Sequence, residues 1–205
     1  MQLTEIHIGL IMEIFKPIEI KQVVNPAYQE EIYKYLTNIN FDWHFMEDTT
    51  YEVANTPQTS TPAFGNLLYY YQHRENPHYE FIKPLVSRIE EVTDFKIVKL
   101  LRVRAGFLLN TKYVLPSQPY KYNTPHQDFE QDHYVAVYYV NESDGDTIIF
   151  NETQRSEKYY SMYKCTPERG KMLIFNGWHF HSSTCPKVYT KRLAITINFT
   201  ATKNG

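Results

Sequence analysis

The sequence predicts an α+β chain, mainly β, in which a helical front precedes a back of short strands arranged as a sandwich or jelly roll. Three observations carry this. Apolar residues repeat at helical spacing up to about residue 94 and at strand spacing beyond it. Turn signals at Asp144-Gly145 and Arg169-Gly170 separate the later apolar runs. Aromatic residues make up 16% of the 205-residue chain, with 18 tyrosines, a bias that suits pleated, half-buried surfaces. A chain of this length is read as one domain over 1–205, burying about 70% of its unfolded surface. Residues 1–94 form the helical front and support, and 95–205 form the β core.

Asn25-Pro26 reads as an N-cap followed by proline at the first helical position. Tyr28, Ile32, Leu36 and Ile39 then recur at helical spacing, so a helix over 26–38 is expected. The turn-rich run ANTPQTSTPAFGN reads as a loop, and LLYYYQ at 67–72 as a strand. Asn76-Pro77 starts a second helix with Phe81, Leu85, Ile89 and Val92 on one face, and Pro84 sits where it can bend that helix. From Phe95, FKIVKLLRVRAGFLL alternates in part, with Val103, Ala105, Phe107 and Leu109 on one side. Arg102 and Arg104 fall on the other, read as a solvated face. HYVAVYYV, DTIIF, KMLIF and LAITINF are further strands. No internal repeat or glycine-rich phosphate loop is visible.

The net charge of −2 gives no reason to expect affinity for nucleic acid or an anionic membrane. No apolar run approaches the roughly 20 residues of a membrane-spanning helix. The opening MQLTEIHIGLIMEIFK carries Glu5 and Glu13 and lacks a basic n-region, so it does not read as a signal peptide. The two cysteines, Cys165 and Cys185, stand far apart, and free thiols in a reducing cytoplasm are the expectation.

The chemistry is concentrated in four residues. His126 and Asp128 are spaced so that, on an extended strand, both side chains leave on one side. His181 lies downstream in FNGWHFHSSTCP, and Arg192 opens RLAITINF. Two histidines and one carboxylate with positions left open are the ligand set of non-haem Fe(II) oxygenases, whereas closed structural zinc sites prefer four N/S ligands. The open positions can take the keto and carboxylate oxygens of a 2-oxoacid, plus O2. The far carboxylate of such a co-substrate needs a cation, and the planar fork of Arg192 suits it. Lys191 has the opposite strand parity, so only one of the two can face the metal. His179 shares the parity of His181, and Tyr138 and Tyr139 point to opposite faces, which parity alone cannot rank.

In these residues the chain resembles the 2-oxoglutarate/Fe(II)-dependent oxygenase superfamily, and within it the prolyl-hydroxylase branch. The parts occur in the family's order over roughly residues 95–200. They are His126-x-Asp128, the strand VYYVN, the turn DGDT, PERGKMLIFNG, His181 and the run RLAIT from Arg192. The resemblance implies a double-stranded β-helix core buttressed by the N-terminal helices. It selects His181 over His179 as the ligand preceding the Ser-Ser turn. It also implies that Tyr139, rather than Tyr138, bonds the 2-oxoglutarate carboxylate beside Arg192, and that Thr196 lines the same pocket. His133 is read as a loop histidine.

The expected function is therefore an Fe(II)- and 2-oxoglutarate-dependent dioxygenase, with His126, Asp128 and His181 as metal ligands and Arg192, Tyr139 and Thr196 at the co-substrate. O2 is the second co-substrate. Members that halogenate replace the carboxylate by a small residue, so Asp128 implies hydroxylation. The resemblance favours a prolyl residue in a protein or peptide, lying in a groove between the 51–66 loop and the insert KYVLPSQPYKYN. A free amino acid or other small molecule is the alternative, and a non-catalytic cupin-like metal-binding module is a third. A nucleic-acid demethylase is disfavoured, because that branch carries a second arginine where this chain has Asn198. No nucleic-acid or membrane partner is expected, and the chain is read as a monomer or homodimer.

Overall fold

The computed structural model describes residues 16–50, 61–72, 76–114 and 122–203. Much of the groove expected between the 51–66 loop and the 112–123 insert therefore lies outside the described residues, as does most of the opening segment. Among the described residues the elements run β1 (Ile18–Ile20), α1 (Pro26–Leu36), β2 (His44–Met46), β3 (Ala63–Tyr70), α2 (Tyr79–Val92), β4 (Phe95–Leu109) and α3 (Thr111–Val114). They continue as β5 (Tyr134–Tyr139), β6 (Thr147–Phe150), β7 (Ser161–Cys165), β8 (Met172–Asn176), β9 (His181–Ser183) and β10 (Lys191–Lys203). Two antiparallel sheets result, of order β1-β8-β5-β10-β4-β3-β2 and β7-β6-β9. This is the mainly β architecture expected, with α1 and α2 on one side of the larger sheet.

The first helix starts as its capping signal dictates. The Asn25 side chain accepts from Tyr28 N at 2.9 Å, and Pro26 takes the first position, where no N–H is needed. The helix stops at Leu36, where the Thr37 hydroxyl donates to Tyr33 O. Ile39 therefore lies past the end and is 96% exposed, so its helical spacing is coincidental. The second helix begins at Tyr79, because Asn76 instead builds a turn, accepting from His78 N and Tyr79 N. Its buried residues are Tyr79, Ile82, Leu85 and Ile89; of the face expected, Leu85 and Ile89 are among them, and Phe81 and Val92 are half-buried at its edge.

Those residues join Ile32 and Leu36 against Val103, Ala105, Tyr138, Ile195 and Ile197 on the outer face of the large sheet. Full burial of each such leucine or isoleucine contributes about 1.5–3 kcal/mol. The inner face carries Val135, Val137, Tyr139, Leu173 and Phe175, which pack on Ile149 and Cys165 of the small sheet. Tyr138 and Tyr139 thus enter different cores, and both are fully buried.

β3 starts four residues before the strand expected, since Phe64 and Gly65 pair with both β2 and β4. The last four residues of that turn-rich run, Ala63–Asn66, are strand because ladder partners satisfy their backbone. At Arg169-Gly170 the expected turn forms, with Gly170 at φ +80, a left-handed conformation that favours glycine. Next to it, buried Lys171 ties β1 to β8 by pairing with Glu19 at 3.1 Å and Glu168 at 2.7 Å. Both cysteines are free and buried.

Candidate metal centre

His126 and His181 face each other across a two-way backbone bridge, His126 N to His181 O at 3.0 Å and His181 N to His126 O at 2.9 Å. The pairing brings their rings to 4.6 Å between centroids. Of His126 and Asp128, His126 alone takes part in a bridge. Asp128 sits in a bend rather than on an extended strand, so shared strand parity is not what gathers the pair. Each histidine points Nδ1 at a main-chain carbonyl, Thr124 O for His126 and His179 O for His181. That arrangement puts the proton on Nδ1 and leaves Nε2 with its lone pair. The two Nε2 atoms lie 3.7 and 3.6 Å from the Asp128 carboxylate oxygens. One ligand atom from each residue falls within 4.8 Å of the others, a cluster able to hold a metal ion.

Protonation favours that use. Burial, reinforced by neighbouring His181, lowers the His126 pKa to about 4, so its imidazole is neutral at ordinary pH. Burial alone would raise Asp128. The Arg102 guanidinium, with His181 and His126, overrides it and holds the carboxyl well below the usual range. A neutral His126 imidazole and an ionised Asp128 carboxylate need shed no proton to bind a divalent cation. The donor set fits Fe(II), with nitrogen and oxygen ligands and no thiolate.

His179 turns away, its Nδ1 on Phe150 O at 2.9 Å. His133 is a loop histidine, as expected, just before β5, and it is buried against Gly177. Arg102 and Arg104 are corrected too. Their side of β4 is the inside of the barrel, and both line a cavity of about 90 Å³ that also touches His126, Asp128 and His181.

Along β10, residues 192, 194, 196 and 198 share one face. Asn198 meets Asp128 at 2.7 Å, Ala194 and Thr196 line the cavity, and Arg192 lies beyond them. Arg192 is buried, donating from Nε to Gly145 O at 2.8 Å and from Nη2 to Thr147 Oγ1 at 2.9 Å. The Tyr139 phenol donates to the same Thr147 hydroxyl at 2.8 Å. Burial lowers the Arg192 pKa and raises that of Tyr139 well above the ordinary phenol value. Among the described residues no carboxylate pairs with Arg192, whereas Lys191 on the opposite face lies 5.4 Å over the Tyr33 ring.

Sequence reasoning missed three residues here. Thr147 closes the DGDT turn that was read only as a turn. Asn198 shares the parity of Arg192. Arg102 lies opposite the apolar side of β4, a signal that separates two faces without saying which is inside.

No family model matches the sequence, and no curated protein matches it. Solved structures do. A prolyl hydroxylase in complex with a hypoxia inducible factor peptide fragment, from Trichoplax adhaerens, superposes with a TM-score of 0.60 at 14% identity, covering 89% of this chain and 82% of that one. A 2OG-Fe(II) oxygenase family oxidoreductase from Burkholderia pseudomallei gives 0.63 at 10% identity, covering 92% and 87%. The non-heme alpha ketoglutarate dependent epimerase SnoN from nogalamycin biosynthesis gives 0.61 at 10% identity, covering 92% and 81%. The likeness is one of fold: this chain has the double-stranded β-helix fold of the 2OG-Fe(II) oxygenases, with a His–Asp–His cluster on its inner face.

Proposed function

We propose that the protein is an Fe(II)- and 2-oxoglutarate-dependent dioxygenase that hydroxylates a C–H bond, and that its substrate is a prolyl residue of a protein or peptide. One observation carries the first part. A His–Asp–His donor cluster shares a cavity with a buried arginine whose hydrogen bonds end on neutral oxygens. A buried cation is costly without a counter-anion, and a 2-oxoacid with a second carboxylate supplies one. His126, Asp128 and His181 would hold the iron, and Arg192 would grip the far carboxylate, with Thr147 and Tyr139 behind it. Thr196 lines the wall between. Bound iron would supply the O2 activation that turns substrate C–H, 2-oxoglutarate and O2 into C–OH, succinate and CO2. A metal-binding module without oxygenase activity has no use for the buried arginine.

The prolyl reading is supported by the VYYVN and RLAIT runs and by likeness in fold to a prolyl hydroxylase whose structure holds a peptide. A free amino acid or other small molecule is the second reading. The size of the cavity, about 90 Å³, favours it. The test has two stages. Anaerobic titration of the Fe(II)-loaded protein with 2-oxoglutarate should produce a weak visible charge-transfer band, and its absence would remove the co-substrate reading. Mass spectrometry of peptide and amino-acid pools after turnover should then find one oxygen added to a proline-containing peptide. Oxygen on a free small molecule alone would keep the chemistry and replace the substrate.

A further inference from the structure

We propose that Arg102 and Asn198 are the positioning pair for the metal's carboxylate ligand, an inference that rests on the metal-site reading above. Arg102 and Asn198 are direct partners in the β4–β10 ladder, so their side chains leave the sheet side by side toward the cavity. Asn198 Nδ2 donates to Asp128 Oδ2 at 2.7 Å. The Arg102 guanidinium donates through Nη2 to Asp128 Oδ1, and its Nε donates to Asn198 Oδ1 at 3.0 Å. Three side chains from three parts of the chain thus close a ring.

The ring compensates for a local weakness. Asp128 lies in a bend between the His126 bridge and β5, where no ladder fixes its backbone. Rotation about the last bond of an aspartate is broad, and an unrestrained carboxylate would sample orientations that face away from the histidines. Separate donors on its two oxygens set the carboxylate plane before any metal arrives. The clamp leaves donor capacity intact, since an ionised carboxylate offers about four lone-pair sites and the ring occupies two. Asn198 is fully buried and the Asp128 side chain is 6% exposed, so water cannot readily replace either donor. Phe129, 5.3 Å from the guanidinium, backs Arg102 on its other side. Hydrogen-bonded partners of metal ligands typically change metal affinity by about 10–100-fold when removed.

The test uses Co(II) as the probe, because its visible bands report the ligand geometry directly. Wild type, Arg102→Leu, Arg102→Lys, Asn198→Ala and Asn198→Ser would be titrated by calorimetry and followed by absorption, with thermal unfolding of each metal-free protein as the fold check. Arg102→Leu and Asn198→Ala should bind Co(II) about 10–100-fold more weakly and show altered bands. Arg102→Lys keeps the charge but not the two-point fork, so it should fall between. Asn198→Ser carries the comparison should Asn198→Ala fail to fold. Wild-type affinity and bands in folded Arg102 and Asn198 variants would overturn the positioning role while leaving the metal site standing. Failure of the wild-type protein itself to take up Co(II) would overturn the metal-site reading, and this inference with it.

Discussion

The Arg192 guanidinium and the Tyr139 phenol both donate to the Thr147 hydroxyl, at 2.9 and 2.8 Å, with the guanidinium 5.6 Å from the centre of the tyrosine ring. Arginine, phenol and hydroxyl come from β10, β5 and β6, so this contact spans both sheets. It places a cation on the inner face of the barrel with no acid hydrogen-bonded to it among the described residues.

The consequence for 2-oxoglutarate is graded. On the proposed reading, Arg192→Ala would remove a charge-assisted contact to the far carboxylate and should weaken 2-oxoglutarate binding by about 2–5 kcal/mol. Tyr139→Phe removes one hydrogen bond and should cost about 0.5–3 kcal/mol. Thr147→Val removes the shared acceptor and should fall in that same lower range. Titration of the charge-transfer band with 2-oxoglutarate measures all three, and equal, negligible effects would point to another carboxylate anchor.

Removal of one metal ligand leaves an incomplete face. His126→Ala, Asp128→Ala and His181→Ala should each abolish tight Fe(II) binding and turnover. His179→Ala should be far milder, because its ring bonds Phe150 O outside the cluster. Metal content after equilibrium dialysis checks the series. Loss of iron in His179→Ala with retention in His181→Ala would reverse the assignment.

Gly106 tests the cavity as a substrate site. It pairs with Gly65 on one side and Ala194 on the other. A Cβ there would find only Ala194 O, at 3.9 Å. Gly106→Ala should therefore fold at least as well as wild type, since glycine weakens a strand interior, while it narrows the cavity that also touches the His–Asp–His cluster. Substrate hydroxylation should drop while Co(II) uptake stays near wild type. Gly177→Ala is the contrast, because its Cβ would lie 2.1 Å from the buried His133 ring. Overpacking of this kind costs about 1–3 kcal/mol, readable in urea unfolding.

The Lys171 network sets an acid limit on stability. Burial works to raise Glu19, but its hydrogen bonds to Tyr163 and Lys171 bring its pKa below the ordinary 4.5. Glu168 is lowered by its hydrogen bonds to Lys171 and Lys21. Carboxyls depressed in the folded state contribute stability that is complete above 4.5 and disappears as pH falls through their lower folded values. Lys171 is the converse. Burial works to lower it, but Glu168 and Glu19 raise it above 10.5, so its share is complete below that value and fades at higher pH. Unfolding free energy should decline below about pH 4.5, and Lys171→Met should flatten that decline. An unchanged acid slope in the variant would assign it to other carboxyls.

The sequence by itself determined the residue types of the site and the sites of chain reversal. His126, Asp128, His181 and Arg192, the site proposed above, are legible because metal and carboxylate binding would restrict which side chains can serve. Asn25-Pro26 and Arg169-Gly170 are legible because a helix start and a left-handed turn are local backbone problems. Strand parity separated Arg102 and Arg104 from Val103 and Ala105, yet it could not say which side faced the cavity. That depended on α1 and α2 covering one face of the large sheet and the three-stranded sheet covering the other. The same holds for Ala63–Asn66, made strand by two neighbours, and for Thr147, Asn198 and Arg102, whose partners lie far away in the chain. Local backbone preference is written in adjacent residues. The hydrogen-bond partner of a side chain is set by which strands pair, and only the tertiary structure decides that.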